Sequence, residues 1–406
     1  MGEYAHPNVM TRLSSGRLRY AYQPRPCFGP ICLEDSRMRV IGMDVHVRNS
    51  FLCVTDEHGQ LLGRRRVGNS LLEIAEFLGG LDGGDQPARV VLESTTNSRA
   101  IHRLMLEYGK QAGVELQAQV LDARKLRVIA ESVSKCDRLD AAVLNELARS
   151  KLKLPACYVP DDDVFALREH LRARCDLVRI RTMLKNRVHS VLHRRGILCP
   201  FKELFAKAGR QWLAELTMDE AGRAILGRYL ATIDQLQETI DQSTAALTQQ
   251  ARSQRWCKSV ALLRTMPGIG PITSLMILAE LGDLNRFKGR AAVSNYAGLV
   301  PVVRDSNSKH YSGGITHRGS SHLRGALMEA AWMAVSRVPQ YASIFGRIGI
   351  RRGKQKAIVA VARRMLEDAW TMLKREEVFR LMSVRTDERI SEAAEVSAVA
   401  EPSAAG

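Results

Sequence analysis

From Met38 to Lys153 short strand-like runs alternate with helix-like ones, and after Pro155 and Pro160 the strand-like runs give way to long helical sequence. This order constrains the fold more than any other feature, because it calls for two architectures in one chain. The opening runs are RVIGMDVHV, SFLCVTD, a DEHG turn and QLLGRRRV, which fit three antiparallel strands joined by tight turns. There follow a helix over LLEIAEFL, a strand at RVVLES, a helix over SRAIHRLMLEYG, a strand at ELQAQVL and helical sequence through ELARSK. A meander that passes into alternating helices and strands predicts an α/β sandwich.

The remainder reads as all-α. Between Val164 and Arg195, Leu167, Leu171, Cys175 and Val178 share one stripe, and nine Arg or Lys against two acids fall between 168 and 195. Between Arg223 and Gln250, Leu226, Ile233, Ile240 and Leu247 recur every seventh residue, the spacing of a coiled-coil seam. The pair predicts an antiparallel helical stalk that extends a dimer surface or holds nucleic acid, and its charges fit a solvated face equally well. A compact helical domain is expected from Trp256 onward. The predicted boundaries are 38–155, 156–253 and 254–380, with disordered ends at 1–37 and 381–406.

A net charge of +17 and a pI near 9.8 favour polyanions such as nucleic acid. Charge alone does not separate a DNA enzyme from a ribosomal or membrane-surface protein. The eight cysteines form no C-x-x-C pair and no zinc pattern, so free thiols in a reducing compartment are expected. No apolar run reaches the ~18 residues of a membrane span, and the start lacks a signal-peptide core. A cytoplasmic, nucleoid-associated protein is the expectation.

Four acids attract attention. In RVIGMDVHV the alternation sends Ile41, Met43 and Val45 to one face and Val40, Gly42 and Asp44 to the other. A carboxylate in so apolar a strand needs a cation, a hydrogen-bond network or a metal, unless it meets solvent at the strand end. Glu93 ends the run Val90, Val91, Leu92, where an open α/β sheet delivers functional groups. In KCDRLDAAVLNELA, Asp137, Asp140, Leu144 and Leu147 recur at helical spacing. Asp137 and Asp140 also fit a helix cap and a first-turn acid. Together the four suit a two-metal phosphodiester site, in which hard Mg²⁺ ions ~3.5–4 Å apart take oxygen ligands.

The segments VIGMDVHVRNSFLCVTDEHG, VVLESTT and LDARKLRVIAESVSKCDRLDAAVLNELA resemble the DEDD transposase family of bacterial insertion sequences, typified by insertion sequence one-hundred-and-ten. The resemblance implies an RNase H-like N-terminal domain similar to Holliday-junction resolvases, with Asp44, Glu93, Asp137 and Asp140 as the catalytic, metal-binding tetrad. Cys136 stands where the family usually has Thr before the third acid.

Further on, PGIGPITSLMILAELGDL joins a Gly-rich turn to an amphipathic helix and resembles a helix-hairpin-helix, with Gly268 and Gly270 letting backbone amides approach a phosphate. A plain turn between packed helices fits the same residues. AGLVPVVRDSNSKHYSGGITHRGSSHLRGALMEAAW is similar to the family's C-terminal transposase block. Ungapped alignment of Pro301 and Ile315 puts the second serine of the family's Ser-Ser-Gly on Ser306, although Asp305, Ser306, Asn307 stand there; a serine of this block is the family's nucleophile, and the resemblance implies Ser306 in that role. Ser308 and Ser312 compete for the role. Lys309, His310, Arg318 and Arg324 are candidate phosphate contacts, or plain surface charge. The resemblance further implies DNA element ends and a target as substrates, a structured guide RNA, and a homo-oligomer, dimer or tetramer. A structure-specific endonuclease of the resolvase type, or a non-catalytic nucleic-acid-binding relic, are the alternatives.

Overall fold

The computed structural model describes residues 38–380 apart from 83–84, 124, 126–136, 151, 153 and 307–308. The side chains of 137–139 and 303–312, and the two terminal segments expected to be disordered, also lie outside the described set. The chain divides into two compact units, one ending at Val159 and the other starting at Pro160.

The first unit is a five-stranded sheet with helices on both faces. Strands β1 (Arg39–Val45), β2 (Asn49–Thr55) and β3 (Leu61–Gly68) form the expected antiparallel meander, followed by α1 (Leu71–Gly79), β4 (Ala88–Glu93), α2 (Ser98–Ala112), β5 (Leu116–Leu121) and α3 (Asp137–Arg149). The sheet order is 3-2-1-4-5, with β1 parallel to β4 and β4 parallel to β5. β1 is central, and all seven of its residues are buried. Ile41, Met43 and Val45 face one core with Ile74, Leu78, Ile101 and Met105 of α1 and α2. Each such side chain, once fully buried, contributes roughly 1.5–3 kcal/mol. Val40 faces the opposite core with Val91, Leu121, Leu144 and Ala148.

Helix α1 starts where the sequence marks a start. The Ser70 hydroxyl accepts from the Glu73 amide, and the Glu73 carboxylate accepts from the Gly68 amide. Helix α2 ends at Gly113, whose φ of 68° suits glycine.

The second unit begins with α4 (Asp162–His193), capped by Asp161, then α5 (Lys207–Glu215) and α6 (Glu220–Gln250), capped by Asp219. Arg174 donates to Thr244 (2.7 Å), Arg181 to Gln237 and Arg195 to Asp219, so α4 and α6 run antiparallel along their length. Leu226, Ile233, Ile240 and Leu247, the heptad positions, are all buried. The far end of this pair has its own small core of Val188, Leu192, Leu204, Leu213, Leu226 and Ile233. Its near end does not. Val164, Leu167, Leu171 and Leu247 join the main core formed by the segments after Trp256, so the stalk expected over 156–253 and the domain expected over 254–380 share one interior.

That interior is built from α7 (Cys257–Arg264), α8 (Pro271–Leu281), a 3₁₀ turn (Leu284–Arg286), α9 (Arg290–Tyr296), α10 (Ser321–Val335), α11 (Pro339–Arg352) and α12 (Lys354–Arg375). The expectation of an amphipathic helix after the Gly-rich turn is corrected. Every residue of α8 from Ser274 to Leu281 is buried, as befits a helix apolar on all sides at the centre of a domain. The domain is also not purely helical, because β6 (Pro301–Ser306) and β7 (Lys309–Ile315) form an antiparallel hairpin between α9 and α10.

Two polar devices fasten α4 to α8. The Arg168 guanidinium donates to the carbonyls of Ala279 (2.6 Å) and Glu280 (3.1 Å), satisfying the end of α8, and Arg172 grips the buried Glu280 carboxylate through Nε and Nη2.

Candidate active site

Asp44 and Glu93 close two adjacent parallel strands. The β1–β4 register pairs Met43 with Leu92, so the next residues along each strand are Asp44 and Glu93. Side chains alternate along a strand, and in-register partners of a parallel pair lean the same way. Val40 and Val91 face α3, hence Asp44 and Glu93 also belong to the α3 side. Asp44 is 8% exposed, and Glu93 is half-buried.

Helix α3 runs back along β1. A Cβ on Gly42 would stand 2.2 Å from the Ala141 carbonyl and 2.3 Å from the Asn145 nitrogen, so the helix presses directly on the strand there and only glycine admits it. Asn145, 2% exposed, clips the two together: Nδ2 donates to the carbonyls of Val40 (2.7 Å) and Cys53 (3.0 Å), while Oδ1 accepts from the Thr55 hydroxyl (3.0 Å). From Asn145 back to Asp137 is eight helical residues, roughly 12 Å, and from Val40 to Asp44 four strand residues, roughly 13 Å. The first turn of α3, with Asp137 and Asp140, is thereby brought to the level of Asp44.

The buried face of α3 is Ala141, Leu144, Asn145 and Ala148, with Leu147 only partly covered. The stripe expected from the sequence, Asp137, Asp140, Leu144 and Leu147, is therefore rotated slightly, and both acids still lie four residues before a sheet-facing position. Asp140 is half-buried, whereas the side chain of Asp137 lies outside the described residues. Among the described residues no three His, Cys, Asp or Glu side chains converge as a metal cluster. Asp44, Glu93, Asp137 and Asp140 would together offer only carboxylate oxygen, the donor type that a hard divalent cation takes.

Two residues here escaped the sequence reading. His46 places Nε2 3.1 Å from the Asp44 carboxylate, and its own backbone carbonyl accepts from Asn69 and Asn97 (2.7 Å each). The spacing Asp-x-His on a strand, which puts both on one face, was the available clue. Asn145 left a fainter one, a lone polar residue amid Leu144, Leu147 and Ala148.

In the second unit the β6–β7 hairpin carries Ser306 and Lys309 as its last cross-strand pair, with His310 opposite Asp305 and Ser312 opposite Val303. Ser308 lies outside the described residues. The base of the hairpin is locked backbone to backbone. A Cβ on Gly298 (φ 69°) would meet the Arg318 carbonyl at 2.1 Å, and one on Gly319 (φ 75°) the Tyr296 carbonyl at 2.0 Å. Arg324, a candidate phosphate contact, is corrected by its surroundings: it is buried, and Nη1 donates to the carbonyls of Ala297 (3.1 Å), Arg318 (2.8 Å) and Gly319 (3.1 Å). Burial pushes its pKa down, and its role is to tie this base together. Arg318 is exposed. Gly268 (φ 90°) is likewise committed to packing, since a Cβ there would meet the Ala330 carbonyl at 2.4 Å, while Gly270 has open space around it.

A DEDD transposase model of the IS110 type matches residues 41–195, and the model described as Transposase IS116/IS110/IS902 family matches residues 260–345. The chain is 26% identical over 358 residues to the transposase for insertion sequence element IS1111A of Coxiella burnetii, covering 84% of this chain and 92% of that one. It is 25% identical to the transposase for insertion sequence element IS1328 of Yersinia enterocolitica, covering 84% and 98%. Over 122 residues it is 30% identical to the pilin gene-inverting protein of Moraxella bovis, covering 29% and 38%. With both domain models matched in order, together over more than half of its length, the chain is a transposase or recombinase of the IS110/IS116 family.

Proposed function

We propose that the chain cleaves and rejoins DNA strands at mobile-element ends, with Asp44, Glu93, Asp137 and Asp140 as a divalent-metal site and Ser306 as the nucleophile. The observation that carries this reading is the side-by-side placement of Asp44 and Glu93, one position past the last β1–β4 pair of Met43 with Leu92, under a helix whose first turn carries two further acids. The 3-2-1-4-5 order, with its meander and parallel extension, supports the RNase H-like assignment of the first unit. The buried heptad positions of α6 support a coiled-coil stalk, and the α7–α8 turn supports the helix-hairpin-helix reading at Gly270 more than at Gly268.

The carboxylates would hold magnesium, which when bound supplies Lewis-acid stabilisation of phosphate charge. His46 keeps the Asp44 carboxylate oriented, and Asn145 holds α3 at its level. In cleavage, the Ser306 Oγ attacks phosphorus and loses its proton to a base. A phosphoserine ester forms, and the bond to the DNA 3′-oxygen breaks; that oxygen takes up a proton from an acid and leaves as a 3′-hydroxyl. Rejoining is the reverse: a 3′-hydroxyl attacks the phosphoserine and releases serine, so phosphodiester energy is conserved. Lys309 and Arg318 would neutralise phosphates along the hairpin. Sequence choice by an element-encoded guide RNA, and assembly as a dimer or tetramer, are part of the same proposal through the family resemblance. A guide would suit a protein rich in backbone-binding cations.

The test is covalent trapping. Element-end DNA is incubated with the chain and Mg²⁺, with and without RNA transcribed from the element's noncoding flank. The adduct is expected with the wild type and lost in Ser306→Ala and Asp44→Asn, but kept in Ser308→Ala and Ser312→Ala. An adduct that survives Ser306→Ala moves the nucleophile elsewhere. Cutting without any adduct, leaving free 5′-phosphates, would replace the recombinase reading with a resolvase-type endonuclease.

A further inference from the structure

From Ala330 to Leu366 the chain contains no Asp or Glu. Within this stretch Arg347, Arg351, Arg352, Lys354 and Lys356 gather at the corner where α11 turns into α12, and all five are exposed. None of them makes an ion pair or a side-chain hydrogen bond among the described residues. The next acids along α12 are committed elsewhere, Glu367 to Ser294 and Arg363, Asp368 to Tyr341 and Arg364. The five positive charges are therefore left without local compensation.

The helix dipole favours Arg351 and Arg352 in the last turn of α11, but folding does not account for the cations across the corner. Lys354 and Lys356 occupy the first turn of α12, where the helix dipole disfavours cations, and no acid accompanies them. Gly353, at φ 83°, makes the sharp corner, and a Cβ on Gly349 would stand 3.8 Å from that of Ala357, so α11 and α12 meet closely and present their ends side by side. Arg347, Ile348, Arg351 and Arg352 line a concavity of about 320 Å³ on this surface, and Ile350 beside it is 90% exposed. An apolar side chain so exposed serves no core.

We infer that the α11–α12 corner is a docking surface for the phosphate backbone of duplex DNA. Charge complementarity selects a polyanion, and DNA is the polyanion that a transposase or recombinase handles. The surface lies past residue 345, outside both matched family domains. The inference rests on the chain being a DNA-handling enzyme, and it is independent of the tetrad and of Ser306.

The experiment measures the affinity of the full chain for a ~30-bp duplex between 50 and 200 mM salt, a range over which phosphate contacts are read from the salt slope. A variant carrying Arg347→Gln, Arg351→Gln, Arg352→Gln and Lys354→Gln is compared with one that keeps the charge, Arg347→Lys, Arg351→Lys, Arg352→Lys and Lys354→Arg. Each lost phosphate contact lowers the slope of log K against log salt by about 0.9, so the neutral variant, short of four charges, is expected to lose about 3.6 units of slope and at least tenfold in affinity. The charge-conserving variant should stay within one unit. A neutral variant within twofold of the wild type would overturn the inference, as would a loss seen with an RNA hairpin of equal length but not with duplex DNA. A wild type that binds no duplex would remove the enzyme reading as well, which separates the two failures.

Discussion

Replacing Asn145 by alanine is expected to loosen the first unit selectively. Three side-chain hydrogen bonds disappear, two from Nδ2 to the carbonyls of Val40 and Cys53 and one from the Thr55 hydroxyl to Oδ1. At about 1 kcal/mol net each, the loss is about 3 kcal/mol. With tenfold per ~1.4 kcal/mol, amide exchange limited by opening of the unit should quicken about a hundredfold. All four tryptophans, at 212, 256, 332 and 370, belong to the second unit, so intrinsic fluorescence is blind to this change. Hydrogen exchange read by peptide is the suitable assay, comparing peptides over Arg39–Val45 and Asp137–Arg149 with those over α8 and α12 as internal reference. Asn145→Asp supplies the decisive control. It keeps an acceptor for Thr55 but sets a carboxylate against two carbonyl oxygens, so it should destabilise more than alanine does. If alanine proves the worse substitution, or if α8 and α12 quicken as much as β1, the clip is not what holds α3 to the strand.

Three further outcomes follow from the geometry. Gly319→Ala forces a left-handed backbone on alanine and a Cβ against the Tyr296 carbonyl, and should cost about 2 kcal/mol or more, read as a lower denaturation midpoint of tryptophan fluorescence. Arg172→Met strands the Glu280 carboxylate, 2% exposed, and should cost about 3–5 kcal/mol, most of it recovered in the double variant with Glu280→Leu. His102 has its pKa lowered chiefly by burial, helped by Arg99 and opposed by its bond to the Ala118 carbonyl. Its neutral form is thus the folded one: its contribution is complete above the ordinary imidazole value near 6.5 and declines as pH falls through the depressed folded pKa. His102→Gln should flatten the loss of first-unit protection between pH 7 and pH 5, and an unchanged profile would exclude this histidine as its source.

Much of the architecture was legible because period and punctuation agreed. Alternation in RVIGMDVHV placed Ile41, Met43 and Val45 on one face and Asp44 on the other, and the sevenfold spacing from Leu226 to Leu247 marked a buried seam. What escaped depended on tertiary partners. Ser274 to Leu281 looked amphipathic in isolation, yet the main core surrounds that helix on every side. Arg324 read as a phosphate contact or surface charge because nothing local reveals that three carbonyls converge on it. The hairpin over Pro301–Ile315 escaped because Gly313 and Gly314 interrupt strand patterning, and its base is set by Gly298 and Gly319 from outside the strands. Gly42 and Asn145 are the clearest case. Their meaning appears only when α3 lies across β1, and that contact brings the acids of two distant segments to one level.

The account turns on those acids acting as one cation site. Calorimetric titration of Mg²⁺ into the full chain, and into Asp44→Asn, Glu93→Gln and Asp140→Asn separately, addresses this most directly. Saturable binding by the wild type is expected, weakened at least tenfold by each single substitution. Wild-type affinity retained in any one of the three would contradict a shared site.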